Sequence, residues 1–101
     1  MRVSMTTVKG PDGLGEPARL AAETLRSWLG EFEGYRGTLV LIDEPGGIAR
    51  FLTFWEDEEA EERSRVGRAR MREQMAATAG VELEGNEVYS IAFVDGLESW
   101  T

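Results

Sequence analysis

The stretch IARFLTFWEDEEAEE, residues 48–62, decides the fold because it changes from strand to helix within a few residues. Its first half has apolar side chains on both sides of an extended chain, which is typical of a strand buried on both faces. Trp55 closes this run, and Asp57 is a suitable N-cap for a helix that begins with glutamates. We predict a strand over residues 48–55 and a helix from Asp57 to about residue 79.

The remaining elements extend this pattern towards both ends of the chain. Residues 3–9 are rich in β-branched side chains and predict a strand, whereas residues 17–32 begin with proline, carry an apolar stripe and predict a helix. Residues 38–43 predict a strand that a Pro/Gly turn joins to residues 48–55 in an antiparallel hairpin. The last strand is predicted over residues 87–95, after a Gly-Asn turn.

The order β-α-β-β-α-β predicts an α+β, ferredoxin-like fold, in which a four-stranded antiparallel sheet carries both helices on one face. The length fits one domain over residues 1–101. Both faces of the predicted sheet are apolar, although two helices can cover only one of them. An uncovered apolar face would exceed the few hundred Å² that soluble monomers usually expose. We therefore predict a homodimer in which the two uncovered faces pack together.

Composition excludes several classes of function. The formal net charge is −8, whereas proteins that bind nucleic acid or an anionic membrane surface cluster Lys and Arg. The chain has no cysteine and no histidine, which excludes disulfides, Cys/His zinc sites and His-based triads within it. We expect no nucleic-acid partner, no membrane association and no bound metal. The first residues lack the apolar run of a signal peptide, so the expected location is cytoplasmic.

Three features together resemble a known group of proteins. They are the segment FEGYRG at residues 32–37, the strand end Thr53-Phe54-Trp55 before an acidic helix, and the closing strand at residues 89–94. In this order they resemble the antibiotic biosynthesis monooxygenase family of dimeric α+β barrels. The resemblance implies a pocket within each protomer, between the sheet and the helices.

The same family includes cofactor-free oxygenases of aromatic polyketides, haem-degrading enzymes and quinol oxygenases. Its haem-degrading branch uses an asparagine on the first strand and a histidine on the second helix. This chain has Ser4, Thr6 and Thr7 on the first strand and no histidine, so haem degradation by that mechanism is not expected. The resemblance therefore implies chemistry that needs no cofactor.

The resemblance makes Trp55 the first candidate for a pocket wall. Strand alternation puts Phe51 and Thr53 on the same face. Trp55 has a second interpretation, as a packing residue at the strand end, since most aromatic residues are core residues.

Three further aromatic residues also have two interpretations each. Tyr89 either donates a hydrogen bond to a bound carbonyl or anion, or lies at a rim with its hydroxyl in water. Trp28 and Phe32 on the first helix either pack in the core or line the cavity as well.

Three hypotheses of function follow. The chain is a cofactor-independent monooxygenase acting on an aromatic or polyketide-like small molecule, a small-molecule-binding module without turnover, or a structural homodimer whose interior is filled by its own side chains. An electron-rich phenolate can itself pass an electron to oxygen, so an enzyme of the first kind need only exclude water, orient the ring and stabilise charge. An open apolar cavity keeps the first two hypotheses, and a filled interior eliminates both.

Overall fold

The computed structural model contains one four-stranded antiparallel sheet with the strand order β2-β3-β1-β4. It describes residues 1–10, 15–43, 45 and 47–96. The elements are β1 (Arg2–Lys9), α1 (Gly15–Leu29), β2 (Tyr35–Asp43), β3 (Ile48–Trp55), α2 (Glu58–Ala79) and β4 (Glu82–Ser90). The predicted order and the ferredoxin-like arrangement are confirmed. The Pro/Gly turn predicted between β2 and β3 falls partly on residues 44 and 46, which lie outside the described residues.

The second helix begins and ends where its capping residues place it. The Asp57 carboxylate accepts a hydrogen bond from the Ala60 backbone N–H at 2.9 Å, which satisfies one of the free donors of the first turn. Gly80 ends the helix with φ of 69°, a left-handed conformation that favours glycine. Both boundaries follow the sequence prediction.

The last strand differs from its prediction, because β4 covers Glu82–Ser90 rather than residues 87–95. The Gly-Asn pair is not a turn but part of the ladder, with Gly85 opposite Thr7 and Asn86 opposite Thr6. The register shifts between Thr7 and Val8, and glycine is common beside such bulges. Beyond Ser90 the ladder has little left to pair with, since β1 begins at Arg2.

The interior lies between the sheet and the two helices, in two separate clusters. Val8, Ala18 and Ala49 form one cluster, and Leu29, Trp55 and Ala60 form the other. Along β1 and β3 the two clusters are separated by the pairs Thr6–Phe51 and Ser4–Thr53. Three of these four side chains are small and polar, so they leave space between the clusters.

The opposite face of the sheet, which we call the open face, has an apolar centre, and the helices pack on the other side. The register places these apolar residues on it: Val3, Met5, Leu39, Leu41, Ile48, Leu52, Phe54 and Tyr89. It also places polar and charged residues there, namely Thr7, Lys9, Asp43, Arg50, Glu82 and Glu87. Leu41 is 47% exposed and Tyr89 is 50% exposed. The homodimer stays a prediction that rests on this face.

Candidate ligand cavity

A cavity of about 140 Å³ occupies the space between the two core clusters. In an engineered protein, an apolar cavity of about 150 Å³ holds one benzene molecule, so this volume suits a single aromatic ring. The wall is mostly apolar, with hydroxyl groups on the sheet side. The residues that shape it include Ser4, Thr6 and Thr53 from the strands, Ala21 and Trp28 from α1, and Met71 and Met75 from α2.

Three of the six pocket candidates line this cavity, namely Phe51, Thr53 and Trp28. Phe51 and Thr53 reach it because alternate residues of β3 point towards the helices. Trp28 reaches it from the last turn of α1. The interior is therefore not filled by side chains. The hypothesis of a purely structural homodimer requires a filled interior, so the cavity argues against it.

Trp55 lies behind the wall rather than in it. Its side chain is fully buried, and its Nε1 donates a hydrogen bond to Ser4 Oγ at 3.2 Å. Phe32 also lies in this layer, with its ring centre 6.2 Å from that of Trp55 and 4.8 Å from that of Trp28. Trp55 is thus in contact with the wall residue Ser4 without facing the cavity.

Tyr89 is on the other side of the sheet. It is paired with Val3, whereas its neighbour Ser90 is paired with Arg2, the β1 residue opposite Trp55. Paired residues share a face, so Tyr89 points away from the cavity. The register of β4 against β1 decides this, and the sequence alone does not give that register.

Arg68 is a wall residue that the sequence analysis missed. Its side chain lies beside the cavity on α2 and is only 9% exposed. Its Nε donates to Ser64 Oγ at 2.8 Å, and its Nη2 donates to the Glu61 carbonyl oxygen at 2.9 Å and also to Glu61 Oε2. These bonds hold the guanidinium in one orientation.

Glu61 is fully buried, although its i,i+4 partner Arg65 is half exposed. Arg65 donates to both Glu61 oxygens, at 2.9 Å and 2.6 Å. These hydrogen bonds, together with those of Arg68, hold the pKa of Glu61 below its ordinary value of 4.5, against the opposing effect of burial. Burial lowers the pKa of Arg68, and Glu61 opposes this shift. Glu61 is therefore ionised and pairs with two arginines.

One sequence signal points to this cluster. Glu61, Ser64 and Arg68 follow one another at three and four residues, which places them on one face of α2. At Gly67 an added Cβ would lie 3.2 Å from the Phe32 ring, so the missing side chain lets α2 and Phe32 approach each other closely.

The cavity wall can bind and orient a molecule and can stabilise negative charge. The charged side chains among its described residues are Arg68 and Arg72, and these residues include no carboxylate or histidine. Hydroxyl groups of Ser4, Thr6 and Thr53 add donors and acceptors. Within the described residues no helix is long and apolar enough to cross a bilayer.

Neither the family models nor the curated proteins include a match to this chain. A candidate antibiotic biosynthesis monooxygenase from Deinococcus radiodurans has a similar structure, with a TM-score of 0.69 and 14% identity over 95% of this chain and 97% of that one. A mutant of MhuD with two manganese protoporphyrin IX molecules bound per active site has a TM-score of 0.64 and 19% identity, over 95% and 99% of the two chains.

A third structure is the monooxygenase from the gene ActVA-Orf6 of Streptomyces coelicolor in complex with nanaomycin D. It has a TM-score of 0.61 and 20% identity, over 94% of this chain and 92% of that one. Identities this low establish a common fold rather than a common activity. The TM-scores and the coverage of at least 92% of every chain agree, and the chain therefore has the fold of the antibiotic biosynthesis monooxygenase-like proteins.

Proposed function

We propose that this chain binds a small, electron-rich aromatic molecule in the cavity and oxidises it with O₂ without a cofactor. The observation that carries the proposal is the apolar cavity between sheet and helices, sized for one ring and bordered by hydroxyl groups and a fixed guanidinium. Structural similarity to monooxygenases supports the same class of reaction.

The proposed reaction converts a phenol and O₂ into a quinone and water. The phenol loses its proton to solvent, and the phenolate passes one electron to O₂. The resulting radical and superoxide form a carbon–oxygen bond at a ring carbon, and a proton gives the hydroperoxide. Loss of the ring hydrogen as a proton, with cleavage of the O–O bond and release of water, leaves the second carbonyl. All four electrons come from the substrate, which matches the reduction of one oxygen atom to water and the incorporation of the other.

The side chains have three tasks in this reaction. Trp28 and Phe51 hold the ring, and the apolar wall excludes water from the radical pair. The hydroxyl groups and Arg68 stabilise negative charge on oxygen. Deprotonation needs no basic side chain if the substrate enters as its anion, which two arginines in the wall favour.

A metalloporphyrin, which MhuD binds, does not fit this cavity. A porphyrin contains four pyrrole rings, whereas the cavity of about 140 Å³ suits one aromatic ring. The only soft donor atoms among its described wall residues are the thioethers of Met71 and Met75, and the chain has no histidine for axial ligation. We therefore propose no haem chemistry.

Binding without turnover is the second candidate function. It is favoured by the lack of a general base among the described wall residues, because a substrate that arrives protonated would stay so. In that case the chain would be a binding or sensing module for the same kind of molecule.

A pair of neighbouring alanines on α1 offers a test of the cavity. Ala21 lines it, whereas Ala22 lines a groove between α1 and β2. We expect Ala21→Phe to abolish binding of 2,6-dimethylphenol, a single-ring phenol with a free para carbon, by calorimetry and the excess O₂ uptake over the uncatalysed rate. Ala22→Phe should retain both. Uptake that survives the filled cavity would refute the proposed site, and binding without uptake in the wild type would select the second candidate.

We also propose that the chain forms a homodimer through the open face. Exposed residues support this proposal, namely Leu39 and Leu41 on β2 and Tyr89 on β4, since they extend the apolar surface of the central strands. Two-fold packing of this face on itself would bury it without any other partner.

A further inference from the structure

Arg68 has donors that the protein itself does not use. Its three hydrogen bonds go through Nε and Nη2, and among the described residues Nη1 has no hydrogen-bond partner. Nη1 is also accessible. Among the described residues, the only inaccessible side-chain nitrogen or oxygen without a hydrogen-bond partner is Arg2 Nε. Since Arg68 lines the cavity, its two Nη1 hydrogens are available to a bound molecule.

Ser4 offers a second free donor at the same end of the cavity. Its oxygen accepts the Trp55 Nε1 hydrogen, so its own hydroxyl hydrogen has no partner among the described residues. Ser4 is buried and lines the cavity. Ser4 and Arg68 both contact the Trp55 side chain, so both donors belong to the Trp55 end of the cavity.

The charge of this end of the cavity is positive. Arg68 is paired with Glu61, a carboxylate that it shares with Arg65, and Glu58 and Glu62 also act on Arg65. Arg72 adds a second guanidinium to the wall. The described residues that face the cavity from α1 and from the strands are uncharged. A buried donor pair with excess positive charge is the arrangement that binds an oxyanion.

We propose that Arg68 Nη1 and the Ser4 hydroxyl together bind the ionised oxygen of a single-ring phenol or enol. This inference rests on the proposed function and specifies its ligand: one ring, as the volume allows, with one acidic hydroxyl group at the Trp55 end. The site is built before the ligand arrives, because Glu61, Ser64 and Trp55 already hold the guanidinium and Trp55 holds Ser4.

The test uses 4-nitrophenol and 4-nitroanisole, which have nearly the same shape, although only the first can ionise. We expect the wild-type protein to bind 4-nitrophenolate about ten- to a hundred-fold more tightly than 4-nitroanisole, as for hydrogen bonds to a charged group. The absorbance of the phenolate in a pH titration should show that bound 4-nitrophenol ionises at a lower pH than free 4-nitrophenol.

Two variants locate the effect. Arg68→Met should remove the preference for the phenolate while leaving 4-nitroanisole binding unchanged, and Ser4→Ala should reduce the preference. If Arg68→Met fails to fold because Glu61 has lost a partner, the double variant Glu61→Gln/Arg68→Met removes both charges and serves instead. Arg68→Lys, which keeps the charge, should retain part of the preference.

The outcomes separate this inference from the proposed function. Equal affinity for the two ligands, or a preference that survives Arg68→Met, overturns the oxyanion site and leaves the cavity intact. Binding of neither ligand by the wild-type protein overturns the oxyanion site and the proposed binding function together. Loss of the preference in Arg68→Met with unchanged 4-nitroanisole binding supports both.

Discussion

The guanidinium carbon of Arg68 lies 5.1 Å from the centre of the Trp55 ring, and the Trp55 Nε1 donates a hydrogen bond to Ser4 Oγ. One buried tryptophan therefore supports two wall residues from different elements, a helix and a strand. This arrangement gives Trp55 a defined task although its own surface does not reach the cavity.

Replacing Trp55 by phenylalanine tests that task. We expect Trp55→Phe to lower the free energy of unfolding by about 1 to 3 kcal/mol, since it removes the hydrogen bond to Ser4 and weakens the cation–π contact. Urea unfolding measures this loss, and 4-nitrophenolate affinity should fall with it. Phe32→Leu is the control, because it changes the same aromatic layer and keeps the Trp55 hydrogen bond to Ser4. A Trp55→Phe protein that binds 4-nitrophenolate as the wild type does would contradict the supporting role.

Removal of the buried carboxylate should be costly. Glu61→Gln leaves the guanidinium of Arg68 buried without its counter-ion, so we expect a loss of about 3 kcal/mol in the free energy of unfolding. Glu59→Gln is the matched control, because Glu59 forms an exposed i,i+4 pair with Arg63 and should change stability by only a few tenths of a kcal/mol. Equal effects of the two substitutions in urea unfolding would show that Glu61 is not paired in the interior.

The free energy of unfolding should fall at low pH because of the Glu61 carboxylate. Its arginine partners lower the pKa of Glu61 in the folded protein below 4.5, so the unfolded chain takes up the proton first as the pH falls. The contribution of Glu61 is thus complete above about pH 4.5 and is lost below it, as the pH passes the folded pKa.

Thermal unfolding at a series of pH values measures this dependence. The melting temperature of the wild type should drop below about pH 4.5 more steeply than that of Glu61→Gln, which starts lower and varies less. Parallel curves for the two proteins would exclude Glu61 as the source of the acid sensitivity.

A charge on the open face should separate the proposed dimer. We expect Leu41→Glu to shift the protein from dimer to monomer at micromolar concentration, since burial of an unpaired carboxylate in an apolar interface is unfavourable. Leu20→Glu is the control, because Leu20 on α1 is 50% exposed, much as Leu41 is. Sedimentation velocity distinguishes the outcomes, and a monomeric wild-type protein would end the proposal at once.

Gly34 should tolerate no side chain. Its φ of 88° is left-handed, and an added Cβ would lie 2.4 Å from the Ala60 Cβ. We expect Gly34→Ala to cost about 3 kcal/mol or more, since the start of α2 must move. Gly80→Ala, where nothing lies within 4 Å, should cost only about 1 to 2 kcal/mol for its left-handed backbone. Similar losses in urea unfolding would argue against the close contact.

The sequence predicts which helices and strands form better than it predicts which residues pair in the sheet. Asp57 and Gly80 cap the second helix because their signals are local and depend on a few neighbouring atoms. Local signals predict the last strand too late along the chain, because Gly85 and Asn86 have turn chemistry yet pair with β1 across a bulge. Pairing over such a distance in sequence is decided by register, which local propensity does not report.

The residues of the candidate site also include some that the sequence predicts and some that it does not. Phe51 and Thr53 were found because strand alternation assigns them to one face. Arg68 and Glu61 were missed because charged residues on a helix are usually exposed, and this helix has many of them. Which glutamate and which arginine enter the interior depends on what packs against α2. Trp55 and the residues of β1, which pack there, decide which charged residues are buried, and the sequence of the helix alone does not.

Glu61, Ser64, Arg65 and Arg68 all belong to α2, so the spacing between them has consequences for the evolution of this segment. Each residue added to a helix turns all later side chains by about 100°. One insertion between Glu61 and Arg68 would therefore turn the Arg68 guanidinium away from Trp55. The buried Glu61 carboxylate would then lose this partner. Homologues that keep this arrangement should vary in loop length, while their chains from residue 55 to residue 68 keep one fixed length.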